Sequence, residues 1–566
     1  MYDLIIRNGI VVDGTGLPRY RADLAIAGER IAKIGRINER GHREIDAEGQ
    51  VISPGFIDGH THMDAQVFWD PLGTSSCWHG VTSVVMGNCG FTLAPARKDQ
   101  RRFVISSLER AEDIKAATID AGIDWTWERF RSYLKALERL PRGINYAANI
   151  GHSALRTWAM GERAFDQAAT EDDLALMQSE LCDALKAGAI GFTTSRGHHL
   201  MMDNRPVASR IAEWSEVERL VGSMGRMGGG LFELAEDFRG YEPEHQARNL
   251  ERLKTLAVDS GIPVTFGVLS APENPGGWKL RLDLLDATAA AGGRMFGQSH
   301  ARDISILLSF RTRLPFDILD EWKPVRALPL DEQRKLLADR DVRSRLVQAA
   351  RHGPYPKGYG AESRPPDYQR LCALRTALPD RNPSVASIAA ARGIDPVEAM
   401  IELALETDFN QFFQQPVSNL DMADVQTILR HPQTVVTFSD SGAHVSQIMD
   451  SSIPTTLLAY WVRERGLFSL EEGVRMITLA PARAWGFHDR GLVREGMVAD
   501  LNVFDPARIL PALPEVRRDL PGNGLRLTQR CQGILATIVS GQVLLLNGEH
   551  TGALPGKLLR GSLAAP

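Results

Sequence analysis

Residues 54–64 read PGFIDGHTHMD, an apolar run that ends in two histidines, His60 and His62, one residue apart. Side chains at i and i+2 of a strand share a face, so a strand ending here aims two imidazoles at one point. Two converging imidazoles make half of a tetrahedral metal site; on a surface strand the same pair would simply be solvated. The rest of the chain must decide between these readings.

Working outward, the same texture recurs along the middle of the chain. GVTSVVMGNCG, NYAANIGHSALR, AGAIGFTTSR, GGLFELAED, GIPVTFGVLS, GGRMFGQSHARD and TVVTFSDSGAH are apolar runs that end in polar or ionisable residues, separated by longer amphipathic stretches. With FIDGHTH they make eight candidate strands. Buried parallel strands joined by helices predict an α/β fold of (β/α)8 TIM-barrel type, with its chemistry at the strands' C-terminal ends. Between about 303 and 420 the alternation lapses into helical patterns, which predicts a helical insertion between the seventh and eighth strands that could form a lid. The first 53 residues and those from 485 to 566 carry short β-like runs broken by Gly and Pro. The two termini are expected to build one small β-sandwich-like domain beside a barrel spanning 54–484.

Composition excludes several classes. The chain has 566 residues, 43% apolar and 24% charged, as expected of a globular enzyme rather than a disordered protein. The net charge of −5 and the lack of a long basic run imply neither nucleic acid nor an anionic membrane as partner. No apolar stretch reaches the roughly 18 residues that span a bilayer. The N-terminal MYDLIIRNGIVVDGTG has a strand-like pattern and no signal-peptide pattern. Five scattered cysteines argue for reduced thiols over a disulfide framework. The reading is a cytoplasmic enzyme with a small-molecule substrate, compatible with a monomer or a homo-oligomer.

Several separated stretches share a likeness. PGFIDGHTHMD, GVTSVVMGNCGFTLAP, IGHSALR, TFSDSGAH and ITLAPARAWGFHDRGLVREGMVADLNVFDP resemble the amidohydrolase superfamily, and the GNCG stretch narrows this towards the N-acyl-D-amino-acid deacylase (D-aminoacylase) group. The resemblance implies a hydrolase that cuts a carbon–nitrogen amide bond with metal-activated water, using zinc or another divalent ion, one or two per chain. It implies His60, His62 and Cys89 as metal ligands and Asp440 as the general base and acid. A thiolate suits such a role because a bound metal lowers the thiol pKa. A turn or N-cap role is the alternative for Asp440.

The chain also departs from the family pattern. The fifth and sixth runs, GGLFELAED and GIPVTFGVLS, lack the histidines that usually complete the metal site. Glu233, Glu236 or Asp237 could supply an oxygen ligand instead, and His300 a nitrogen. No lysine stands in the fourth run, AGAIGFTTSR, so a lysine-bridged pair of metals is not expected. His152, His198, His199 and His444 lie near strand ends as candidate substrate-polarising groups. Arg302 and Arg196 are candidate partners for a substrate carboxylate. Hydrolysis of a cyclic amide, an ester or another N-acyl compound is the second reading, and a catalytically inactive binding barrel is the third.

Overall fold

The computed structural model describes residues 1–235, 243–355, 365–447 and 450–564. Eight short parallel strands organise its middle: β1 (Phe56–Asp58), β2 (Val81–Met86), β3 (Asn145–Ala148), β4 (Phe192–Ser195), β5 (Phe232–Ala235), β6 (Val264–Gly267), β7 (Met295–Ser299) and β8 (Thr434–Val436). Every residue of β1 to β4 is buried, as expected of parallel strands covered on both faces, and polar members such as Asp58, Asn145 and Thr193 are hydrogen-bonded. Each buried Val, Ile or Phe contributes about 1.5–3 kcal/mol.

The strands pair in chain order. β1 pairs with β2 and β2 with β3, all parallel. Past Asn149, the continuation Ile150–Gly151 pairs with β4, and the series then runs β4, β5, β6, β7, β8. Beyond β8 the backbone returns to β1: the N–H of Asp440 donates to His60 O at 3.2 Å and that of His62 to Ser441 O at 2.8 Å. Gly442 makes this approach feasible, because at its φ of +96° a Cβ would lie 2.5 Å from the His62 carbonyl oxygen.

Helices fill the connections where caps tell the chain to start and stop. Glu171–Ala187 begins at a reciprocal capping box between Thr170 and Asp173 and ends at Gly188 with φ of 116°. Leu479–Trp485, after β8, lays Trp485 across Gly59, where a Cβ would sit 2.2 Å from the indole. Substituting Gly59 would therefore displace the strand that carries both histidines.

The terminal segments share one nine-stranded sheet, in which Val51–Pro54 pairs antiparallel with Leu501–Phe504. Two parts of the C-terminal segment lie elsewhere. Glu515–Leu520 and Gly524–Thr528 form a separate hairpin whose Arg526 pairs with Asp70, 3.0 Å away, and Leu558–Leu559 pairs parallel with β3. Between β7 and β8 the chain, expected to be helical, combines helices with strands. Ile304–Leu308, Cys372–Ala373 and Phe413–Ser418 form a three-stranded sheet among its helices. Their strand pairing escapes a local reading because Ile304–Leu308 meets Phe413–Ser418 across about a hundred residues of chain. The insertion has its own apolar cluster around Phe310, Phe316 and Trp322.

Candidate active site

Past the C-terminal ends of the parallel strands, His60 Nε2, His62, Cys89 Sγ and Asp440 converge. The potential ligand atoms of His60, His62 and Cys89 all lie within 4.8 Å of one another. Cys89 Sγ is 3.5 Å from His60 Nε2, while Asp440 Oδ1 is 3.3 Å from His60 Nε2 and 3.5 Å from His62 Nε2. Asp440 Oδ1 is a buried oxygen with no hydrogen-bond donor aimed at it. Carboxylate, thiol and both Nε2 atoms thus address one small volume.

The rear of each ring is held. Nδ1 of His60 meets Gln298 Oε1 at 2.6 Å, so the ring donates there and leaves Nε2 with its lone pair facing Cys89 and Asp440. Nδ1 of His62 lies 3.1 Å from Glu112 Oε1, at ion-pair distance but off the direct N–H line. Burial pushes His60 down to about 4, leaving it neutral near pH 7. Burial alone would also lower His62, but the facing Glu112 and Asp440 carboxylates hold it well above its ordinary value. Burial would raise Asp440, yet the two imidazoles keep it well below the usual carboxylate range. Burial pushes the Cys89 thiol up.

Backbone strain gathers at the same place. Cys89, Asp440 and His444 have φ of 54°, 49° and 46°, and Phe438, whose ring packs 4.2 Å from that of His60, has 83°. Non-glycine residues in this region cost of order 1–3 kcal/mol each and persist where surrounding structure over-determines them, as at active sites. Next to them opens a cavity of about 270 Å³, lined among others by His62, Cys89, Glu112, His198, His199, Glu233, Arg281, Asp440 and His444.

The remaining candidates separate clearly. Glu233 borders the cavity, but its Oε2 accepts the Cys89 backbone N–H at 2.8 Å and it stands outside the His–His–Cys group; burial pushes it up to about 8. Glu236 and Asp237 lie outside the described residues. His300 is not brought to the group. β7 ends at Ser299, so His300 leaves the strand's alternation, and it faces Arg302 O at 2.9 Å and Asp450 Oδ2 at 3.5 Å. Arg302 likewise pairs with Asp450 instead of facing the cavity, and Arg196 bonds Ala212 O at 2.7 Å.

His152 is walled off. It starts the helix His152–Met160 and is bound on both ring nitrogens, to Thr194 Oγ1 and Glu216 Oε1, each at 2.8 Å. Glu216 also pairs with buried Arg156. Removing this carboxylate leaves an unpaired buried guanidinium, so Glu216→Ala is expected to destabilise the fold by about 3–5 kcal/mol, measured by chemical denaturation. A change below roughly 1 kcal/mol would contradict the assignment of this trio as structural.

Local reading missed Gln298, Glu112 and Arg281. Gln298 has a signal, since it stands near the C-terminal end of β7, two residues before His300. Glu112 and Arg281 had none, because each reaches the cavity from a helix far along the chain.

Residues 43–545 match the amidohydrolase family, and the chain belongs to that family. It is a hydrolase acting on carbon–nitrogen bonds other than peptide bonds. Within the family it resembles the D-aminoacylases. It is 28% identical to a D-aminoacylase of Alcaligenes xylosoxydans xylosoxydans, over 99% of this chain and 97% of that one. It is 30% identical to an N-acyl-D-glutamate deacylase of the same organism, over 89% of this chain and 87% of the relative. A solved D-aminoacylase, described as having a binuclear metal centre with one-metal activation and second-metal attenuation, superposes with a TM-score of 0.65 at 26% identity, covering 99% of this chain and all of that one. Among the described residues no helix is long and apolar enough to cross a membrane.

Proposed function

We propose that the eight parallel strands close as a (β/α)8 barrel beside a β domain built from both termini, and that the protein is a metal-dependent deacylase of N-acyl amino acids, with N-acyl-D-amino acids as its substrates. The observation that carries this reading is the convergence of His60, His62, Cys89 and Asp440 at one strained point beside a cavity.

The donor set fits a divalent ion. Two imidazoles, a thiol and a carboxylate oxygen with no other partner are zinc ligands by type. The field of Glu112 and Asp440, which raises His62, favours a cation there. His60, His62 and Cys89 would hold the ion, with Asp440 beside it. When bound, the ion supplies Lewis acidity, polarising the scissile carbonyl and acidifying the attacking water.

The chain's own residues do the rest. Asp440, a carboxylate near neutral pH, accepts the proton of the attacking water and returns it to the leaving nitrogen, one group serving both steps. His199, which lines the cavity and is held by Ser195 Oγ at 2.6 Å, and His444 are the groups available to stabilise charge developing on the carbonyl oxygen. Zinc content together with hydrolysis of a panel of N-acyl-D- and N-acyl-L-amino acids tests the proposal. A zinc-loaded protein inert on the whole panel would defeat it.

An N-acyl amino acid carries a free carboxylate. Arg302 is engaged by Asp450, whereas Arg281 is the one arginine or lysine among the described residues lining the cavity. Its helix, Gly277–Ala290, follows β6, and its guanidinium also donates to Gly267 O at 3.2 Å. A charge-assisted hydrogen bond is worth about 1.5–3 kcal/mol, so Arg281→Ala is expected to raise KM roughly 10- to 100-fold for an N-acyl amino acid. The matching neutral N-acyl amide should be affected little. Equal effects on both would remove Arg281 from carboxylate recognition.

A further inference from the structure

Glu112 occupies a position the local chain disfavours. It is the last residue of the helix Arg101–Glu112, where the helix dipole makes negative charge unfavourable, and Asp113 follows it directly in the left-handed region with φ of 55°. Both carboxylates are nonetheless engaged, in opposite directions. Glu112, 2% exposed, reaches inward to His62 Nδ1 at 3.1 Å. Asp113 reaches outward, accepting from Arg313 of the insertion at 2.6 Å, from Gln447 at 3.2 Å and from Ser446. Val445 N–H closes the connection by donating to Glu112 O at 3.4 Å. The helix end is thereby tied to the loop that carries Asp440 and His444, and to the insertion.

We infer that Glu112 is a positioning residue for the metal centre, one whose carboxylate faces His62 Nδ1 at ion-pair distance and so favours the ring orientation in which Nε2 presents its lone pair to the ion, with Asp113 anchoring the helix end that carries it. The inference rests on the proposed metal site and adds a residue to it. Behind His60 stands Gln298, hydrogen-bonded to its Nδ1 at 2.6 Å; behind His62 stands Glu112, at ion-pair distance from its Nδ1, so each imidazole of the His-x-His pair has an oxygen behind it. Outer partners of ligating histidines fix ring orientation and tautomer, and their loss weakens metal binding about 10- to 100-fold.

The test is zinc affinity of the chelator-stripped full chain, by competition with a chromophoric chelator, for wild type, Glu112→Gln, Glu112→Ala and Glu112→Asp, with the thermal midpoint of each metal-free protein. Zinc binding should weaken about 10- to 100-fold in Glu112→Ala and less in Glu112→Gln, with Glu112→Asp recovering part of it, while the metal-free midpoints stay close to wild type. Zinc binding by Glu112→Ala as tight as wild type would overturn the inference and leave the metal site standing. So would the opposite pattern, a lowered metal-free midpoint with unchanged affinity, which marks a purely structural residue. A wild-type chain that takes up no zinc would remove the metal site itself and this inference with it.

Discussion

His60→Ala is expected to purify without stoichiometric metal and without amide hydrolysis, against about one equivalent of divalent ion per chain in the wild type. His60 is the fully buried member of the proposed ligand group, and its Nε2 faces Cys89 and Asp440 at 3.5 and 3.3 Å. An alanine there removes the nitrogen, leaves Gln298 Oε1 without its partner, and opens a void beside Phe438. Lewis-acid assistance is worth several kcal/mol, so the rate should fall about a thousandfold or more. Elemental analysis beside the activity assay checks both parts. A variant that keeps its metal would show that the ion sits elsewhere, and one that loses metal while retaining activity would show that the reaction does not use it.

Asp440→Asn should separate binding from chemistry. The amide nearly matches the carboxylate in size, so the strained backbone at φ of 49° and the approach to His60 and His62 can persist, but an amide cannot shuttle a proton. General acid–base catalysis contributes about 10²- to 10⁴-fold, and kcat should fall by that factor with KM changed only a few-fold. Retention of kcat within tenfold would assign proton transfer to another cavity group, His199 and His444 among them. A collapse in stability instead of kcat would return Asp440 to the turn role its Ser-Asp-Ser-Gly setting also allows.

Both outcomes depend on features of different legibility. The His-x-His pair was readable from residues 54–64 because a strand's two-residue period is local geometry. Cys89 and Asp440 were singled out through the likeness of GNCG and TFSDSGAH to the amidohydrolases, since many other residues also close apolar runs. His300 closes such a run and was misleading. One residue past the end of β7 the alternation no longer holds, and its ring turns to Arg302 and Asp450. His152 sits at a strand end too, but the helix it starts carries it into a buried pair with Glu216.

What the sequence determined by itself was therefore periodic and local: apolar runs of parallel-strand type, the pairing of two histidines on one face, the caps that start and stop helices, and the absence of histidine from the fifth and sixth runs. Tertiary structure alone decided which far-separated side chains meet. Glu112 reaches His62 from fifty residues away, Gln298 reaches His60 from 238, and Arg281 enters the cavity from a helix whose own sequence gives no sign that one of its residues faces a cavity. Such contacts have no sequence period, because they follow from where strand pairing brings strand ends and from which side chains are long enough to cross the gap between them.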